Sequence, residues 1–159
     1  MKTKMITGGI LLVLIMGLMM QCTTPPASPE PSRSFEHTLQ VHLNAIQHGD
    51  IATLEPTVAD SVVMIAPNGA RFDSKKVFMD FHANWFKLKN WEWNGRIVRT
   101  QGADSLGYAL IQYKYVQKDS TGAVQYQGND YLVLIFQQAP QGWQLVHDQN
   151  TMIPDSLVR

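Results

Sequence analysis

Apolar positions along this chain recur first at helical spacing and later at every second residue. In "FEHTLQVHLNAIQHGD", Phe35, Leu39, His42, Leu43 and Ile46 share one helical stripe. His48 falls in the last turn, where a cation suits the helix dipole, and Gly49 suits the stop. Asp50 can cap a second short helix, "IATLEPTVAD". "SVVMIAPNGARF" predicts a strand, a Pro-Asn-Gly turn and a short return. "DSKKVFMDFHANWFK" predicts a third helix behind Asp73 or Ser74, with Phe78, Phe81, His82, Trp85 and Phe86 on a broad apolar face. From Trp91 the period becomes two. "WEWNGRIVRTQ", "SLGYALIQYKYVQ", "AVQYQGNDYLVLIF" and "GWQLVHDQNT" predict four strands, separated by turn signals. Helices followed by strands predict an α+β fold: an antiparallel sheet with the N-terminal helices on one face.

Residues 1–21 break this pattern. Lys2 and Lys4 precede an apolar run from Met5 to Met20, of signal-peptide length and short for a membrane span. The run stops at Cys22, the single cysteine. The segment resembles a bacterial lipoprotein signal, which implies lipidation of Cys22, although Met19-Met20-Gln21 departs from the usual Leu and small residues. An uncleaved anchor helix and plain secretion are the alternatives. Residues 22–33, with their prolines and small polar residues, suit an extended tether. Residues 34–159 are then one folded domain, in the cell envelope, facing the periplasm or exterior and held at a membrane by lipid on Cys22.

Charge narrows the partners. Basic and acidic residues number 13 each, and the loss of Lys2 and Lys4 with a signal leaves a small acidic excess. No basic run suggests nucleic acid. Neither a HExxH pair nor another local ligand spacing suggests a metal, so no metal and no cofactor is expected. The chain also carries no nucleophile motif and no glycine-rich phosphate loop.

The order helix, helix, hairpin, helix, four long strands contains "AIQHGDIATLEPTVADSVVMIAPNG" and closes on "W-x-[LV]-V-H". These features resemble the SnoaL-like branch of the nuclear transport factor 2 superfamily, from Ser34 to Met152. The resemblance implies a cone: a strongly curved sheet, helices over its concave face and an internal pocket. It also implies a homodimer through the sheet. The fold hosts isomerases, cyclases, dehydratases and plain binding modules. Against ketosteroid isomerase, the catalytic base falls near Ala66, the helix-one donor on His42 and the second donor near Leu132, two residues from Asp130. Alanine cannot accept a proton, so ketosteroid isomerisation is rejected.

Strand alternation puts Trp143, Leu145, His147, Gln149 and Thr151 on one face of the last strand and Asp148 on the other. The candidate acid–base groups are therefore His147, Asp130 and His42. His82, Gln149, Thr151, Met64, Phe81, Trp85, Ile111, Tyr113 and Leu132 are the candidate ligand-binding residues. Trp91 and Trp93 share a strand face and are expected to mark an exposed or dimeric surface. Three functional classes follow. The leading one is a lipid-anchored domain binding a small, largely apolar ligand. The others are an isomerase- or dehydratase-like enzyme using histidine acid–base chemistry, and an interaction module docking through the sheet face.

Overall fold

In a computed structural model of the chain, residues 34–157 are described; the expected signal, Cys22 and the tether lie outside them. Helix α1 spans Phe35–His48. Ser34 caps it by accepting from the His37 amide at 3.1 Å, and Gly49 ends it at φ 66°. Phe35, Leu39, His42, Leu43 and Ile46 are all buried, as the stripe predicts. Fully burying one such apolar side chain contributes about 1.5–3 kcal/mol, which is how α1 is held despite its length. Asp50 caps α2, Ile51–Leu54, by accepting from the Thr53 amide at 3.0 Å.

The second helix is shorter than the sequence suggests. Pro56 has no amide to continue the ladder, and Glu55–Thr57 is a single 3₁₀ turn. Strand β1, Val58–Ile65, starts directly behind it and returns through a turn to β2, Arg71–Phe72. Helix α3, Lys75–Phe86, is capped by Ser74 and buries Phe78 and His82. Four long strands follow: β3, Trp91–Gly102; β4, Leu106–Lys118; β5, Val124–Ala139; β6, Gly142–Met152. One curved sheet results, in the order β2-β1-β6-β5-β4-β3. All pairs from β3 to β6 are antiparallel, whereas β1 runs parallel to β6 and places the first strand beside the last. No helix among the described residues is long and apolar enough to cross a membrane.

The core lies between the helices and the concave face. Phe136, Leu134, Leu132 and Ile111 cover the centre of the sheet under Leu39, Leu43 and Phe78. Two glycines make room for large rings. A Cβ on Gly107 would come within 2.3 Å of the Phe35 ring, and one on Gly95 within 2.3 Å of the Trp93 ring. Trp93 therefore lies across Gly95 and stacks on Tyr113, with centroids 5.4 Å apart and planes at 27°.

An irregularity in β6 decides which side chains face inward. Phe136 pairs with Leu145, but the next partner, Ile135, pairs with His147. Val146 is the extra residue of a β-bulge. A bulge of this kind shifts the alternation by one, so all residues beyond it exchange faces. Trp143 and Leu145 point inward before the bulge; Asp148 points inward after it and is buried.

Candidate functional site

A cavity of about 570 Å³ opens between α3 and the concave sheet. Helix α3 and the segment behind it contribute Phe81, His82, Asn84, Trp85 and Leu88. The end of β1 contributes Met64, Ala66 and Pro67, and α1 contributes Ile46. Trp93, Tyr113, Tyr115, Tyr126 and Leu132 form aromatic and aliphatic walls on the sheet. Trp85 meets Tyr115 edge-on at 5.8 Å, and Tyr115 lies 6.0 Å from Tyr126. Asp130, Asp148 and Asn150 complete the lining.

The polar residues converge from three adjacent strands. Tyr113 of β4 is paired with Asp130 of β5, and Asp148 and Asn150 of β6 follow the bulge. Asn150 organises them. Its amide nitrogen donates to Asp148 Oδ1 at 2.7 Å and to the Ile65 carbonyl at 3.1 Å, which ties β6 to β1. Its amide oxygen accepts from the Tyr113 hydroxyl at 3.0 Å. With both nitrogen protons and the oxygen used, the orientation of the amide is set. Asp130 is only 3% exposed, and its Oδ1 makes no hydrogen bond among the described residues.

Burial shapes the acidities. It pushes the Asp148 carboxyl up to about 7, and the Asn150 hydrogen bond acts in the other direction. The Tyr113 hydroxyl is pushed far above its ordinary range, by burial first and by the Asp130 charge second. His82 is brought down to about 4 by burial, with the Phe78 carbonyl opposing. At neutral pH its imidazole is uncharged. Its Nδ1 donates to the Phe78 carbonyl at 2.9 Å, leaving Nε2 as an acceptor.

The expected site residues divide. Met64, Phe81, His82, Trp85, Tyr113, Asp130 and Leu132 line the cavity. His147, Gln149 and Thr151 do not, because the bulge turns them to the outer face. His147 there is flanked by Val63 and Ile135, which pair with it from either side. Ile111 lies fully buried in the sheet centre, beneath the cavity. His42 is also fully buried and off the cavity. The Thr57 hydroxyl donates to the Leu54 carbonyl at 2.6 Å and accepts from His42 Nδ1 at 2.7 Å. His42 Nε2 then keeps a lone pair with no partner among the described residues, and its ring meets that of Phe136 edge-on with centroids 5.5 Å apart. Burial first and His82 second bring His42 down to about 3.

Three expectations about surfaces are corrected. Asp148 is buried in the cavity wall, not on the outer face. Trp93 is buried and lines the cavity. Trp91, half-buried, packs on Trp85 and Phe86 at 4.9 and 5.8 Å. Sequence reasoning missed Asp148 and Asn150 as cavity residues. Their shared period-two spacing was visible, but nothing in "LVHDQN" marks Val146 as the bulged residue. Among the described residues, no group of three or more His, Cys, Asp or Glu side chains could hold a metal ion.

The SnoaL-like domain model matches residues 36–154. The chain belongs to the SnoaL-like domain family. Solved structures carry the same architecture. A ketosteroid isomerase-like protein from Erwinia carotovora atroseptica is 15% identical, with 79% of this chain and 98% of that chain covered and a TM-score of 0.64. An uncharacterised cystatin-like-fold protein from Caulobacter vibrioides is 13% identical, covering 76% and 88%, with a TM-score of 0.63. An NTF2-like protein of unknown function from Pseudomonas putida KT2440 is 14% identical, covering 77% and 86%, with a TM-score of 0.61. At these identities the likeness of the SnoaL-like domain to them is one of fold. No curated protein matches it significantly.

Proposed function

We propose that this SnoaL-like domain binds a small, largely apolar molecule whose polar end meets Tyr113, Asp130, Asp148 and Asn150. The carrying observation is the cavity itself: about 570 Å³, walled by aromatic and aliphatic side chains, with its polar groups gathered on three neighbouring strands. Such a cavity holds a ligand of roughly drug size, and the few polar groups orient it. Native mass spectrometry of the purified protein tests the reading. A co-purifying small molecule, displaced when Ala66→Trp fills the cavity, is expected. A protein that carries nothing, and whose tryptophan emission responds to no aromatic probe, refutes it.

A second reading is acid–base catalysis of the isomerase or dehydratase kind, and one observation favours it. A carboxyl at about 7 holds or releases a proton near neutral pH, so Asp148 is suited to proton transfer. The acid–base group would then be a carboxylate in place of the expected histidines. Ala66, where the isomerase resemblance calls for the base, lines the cavity and offers no proton acceptor. A rate following the Asp148 titration and abolished by Asp148→Asn would favour catalysis over binding alone.

We also propose that the domain is held at an envelope membrane by lipid on Cys22, supported by the apolar run that ends there. A homodimer through the outer sheet face, or docking of another envelope protein there, is supported by half-buried Val63, Ile65, Leu110, Val133 and Ile135 on that face.

A further inference from the structure

We infer that the polar end of the occupant is an organic ammonium ion, seated at Asp130 and Asp148 beside the stacked rings of Trp93 and Tyr113. This rests on the binding reading above and names its ligand class. The first support is charge. Two carboxyl side chains, each only 3% exposed, line one cavity. Among the described residues no lysine or arginine lines it, and none of their ion pairs involves either carboxyl. His82, the one basic side chain among the described residues of the wall, is held neutral by burial. A buried carboxylate without a counter-charge is unfavourable, and a ligand bearing the missing charge relieves it.

The second support is hydrogen bonding. Asp130 Oδ1 is buried and has no hydrogen-bond partner among the described residues. Asn150 has both its nitrogen protons engaged, and the Tyr113 hydroxyl, which also lies against Asp130, gives its one proton to Asn150 at 3.0 Å. At the carboxyl cluster the wall therefore presents acceptors, apart from the proton on Asp148 while that residue is neutral. A carboxylate or phosphate would meet lone pairs and like charge. A hydroxyl brings one proton. A primary ammonium brings three, enough for Asp130, Asp148 and a further acceptor such as His82 Nε2.

The third support is the wall around the cluster. Trp93 and Tyr113 stack at 5.4 Å, and Trp85, Tyr115 and Tyr126 continue the aromatic surface. Ring faces attract cations and also cover an apolar body, so one molecule with both parts satisfies the whole cavity. An ammonium beside Asp148 would draw its titration back down toward the ordinary carboxylate range and release its proton on binding. The titratable groups that line the cavity with Asp148 are Tyr113, Tyr115, Tyr126, Asp130 and His82, and Asn150 bonds to it directly.

Three probes of equal shape test the inference on the full chain: 1-naphthylmethylamine, 1-naphthylmethanol and 1-naphthoate, titrated by calorimetry and tryptophan emission. The amine should bind at least about ten-fold tighter than the alcohol, equivalent to ~1.4 kcal/mol, and the naphthoate weakest. Asp130→Asn and Asp148→Asn, both near-isosteric, should each weaken the amine more than the alcohol and so shrink the amine's preference. Alcohol binding as tight as amine binding overturns the ammonium and leaves the binding reading standing. So does an amine preference that survives both substitutions. Failure of all three probes overturns both.

Discussion

Asp148→Asn should make the protein more stable above neutral pH and leave it nearly unchanged in acid. The wild-type carboxyl titrates from an ordinary 3.8 when unfolded and at about 7 when folded. Below both values each state holds the proton, and the group contributes nothing to the pH dependence. Between them the unfolded chain ionises while the folded one keeps its proton, so stability falls by up to ~1.36 kcal/mol per pH unit. Above both, the full penalty persists. The gap sets a ceiling of about 4 kcal/mol on what the substitution can recover. Asparagine keeps an oxygen to accept from Asn150, so the 2.7 Å contact is preserved.

The two buried histidines act in the opposite sense. His42 at about 3 and His82 at about 4 stay neutral when folded but take a proton below 6.5 when unfolded, which costs stability as pH falls. Wild-type stability alone would therefore mix the two effects, whereas both histidines are shared by the variant and cancel in the difference. Urea unfolding of both proteins, followed by tryptophan emission from roughly pH 4 to pH 8.5, measures that difference. It should rise toward pH 7 and then level off. A difference that stays flat across that range, or falls with pH, would refute the buried, cavity-facing placement of Asp148.

His147→Ala should change probe affinity by less than about two-fold, because the side chain lies on the outer face; titration with 1-naphthylmethanol checks it. Gly107→Ala should cost about 1–3 kcal/mol in chemical unfolding, since the added Cβ meets the buried Phe35 ring at 2.3 Å. Cys22→Ser should move the protein out of the membrane fraction or leave an unprocessed precursor, because acylation supplies the membrane affinity. Unchanged fractionation and mobility on a gel would count against lipidation.

Much of the fold was legible because its signals are local. Ser34 with Gly49, Asp50 and Ser74 each bracket a helix through one side chain or one φ angle. The stripe from Phe35 to Ile46 needs only the helical period. Strand pairing is less local, yet the turns between β3, β4, β5 and β6 are short and leave neighbours little choice. The parallel pairing of β1 with β6 joins residues more than 80 positions apart in the chain, Val63 with His147 among them. The expected sheet was antiparallel throughout, and neither periodicity nor the resemblance gave this parallel pair.

The site was less legible, and the loss traces to one residue. Reading β6 as unbroken alternation puts His147 inward and Asp148 outward; the bulge at Val146 reverses both. Such an irregularity is set by how the strand must bend to sit between β5 and β1, a property of the whole curved sheet and not of the hexapeptide around it. The consequence is chemical. With His147 inward, the cavity would hold a group that donates and accepts and suits a neutral carbonyl or hydroxyl. With Asp148 inward as well as Asp130, and His82 uncharged, the described residues give it two carboxyls and no cation. A displacement of one position along a strand thus changes the ligand the cavity favours, from a neutral polar molecule to an ammonium.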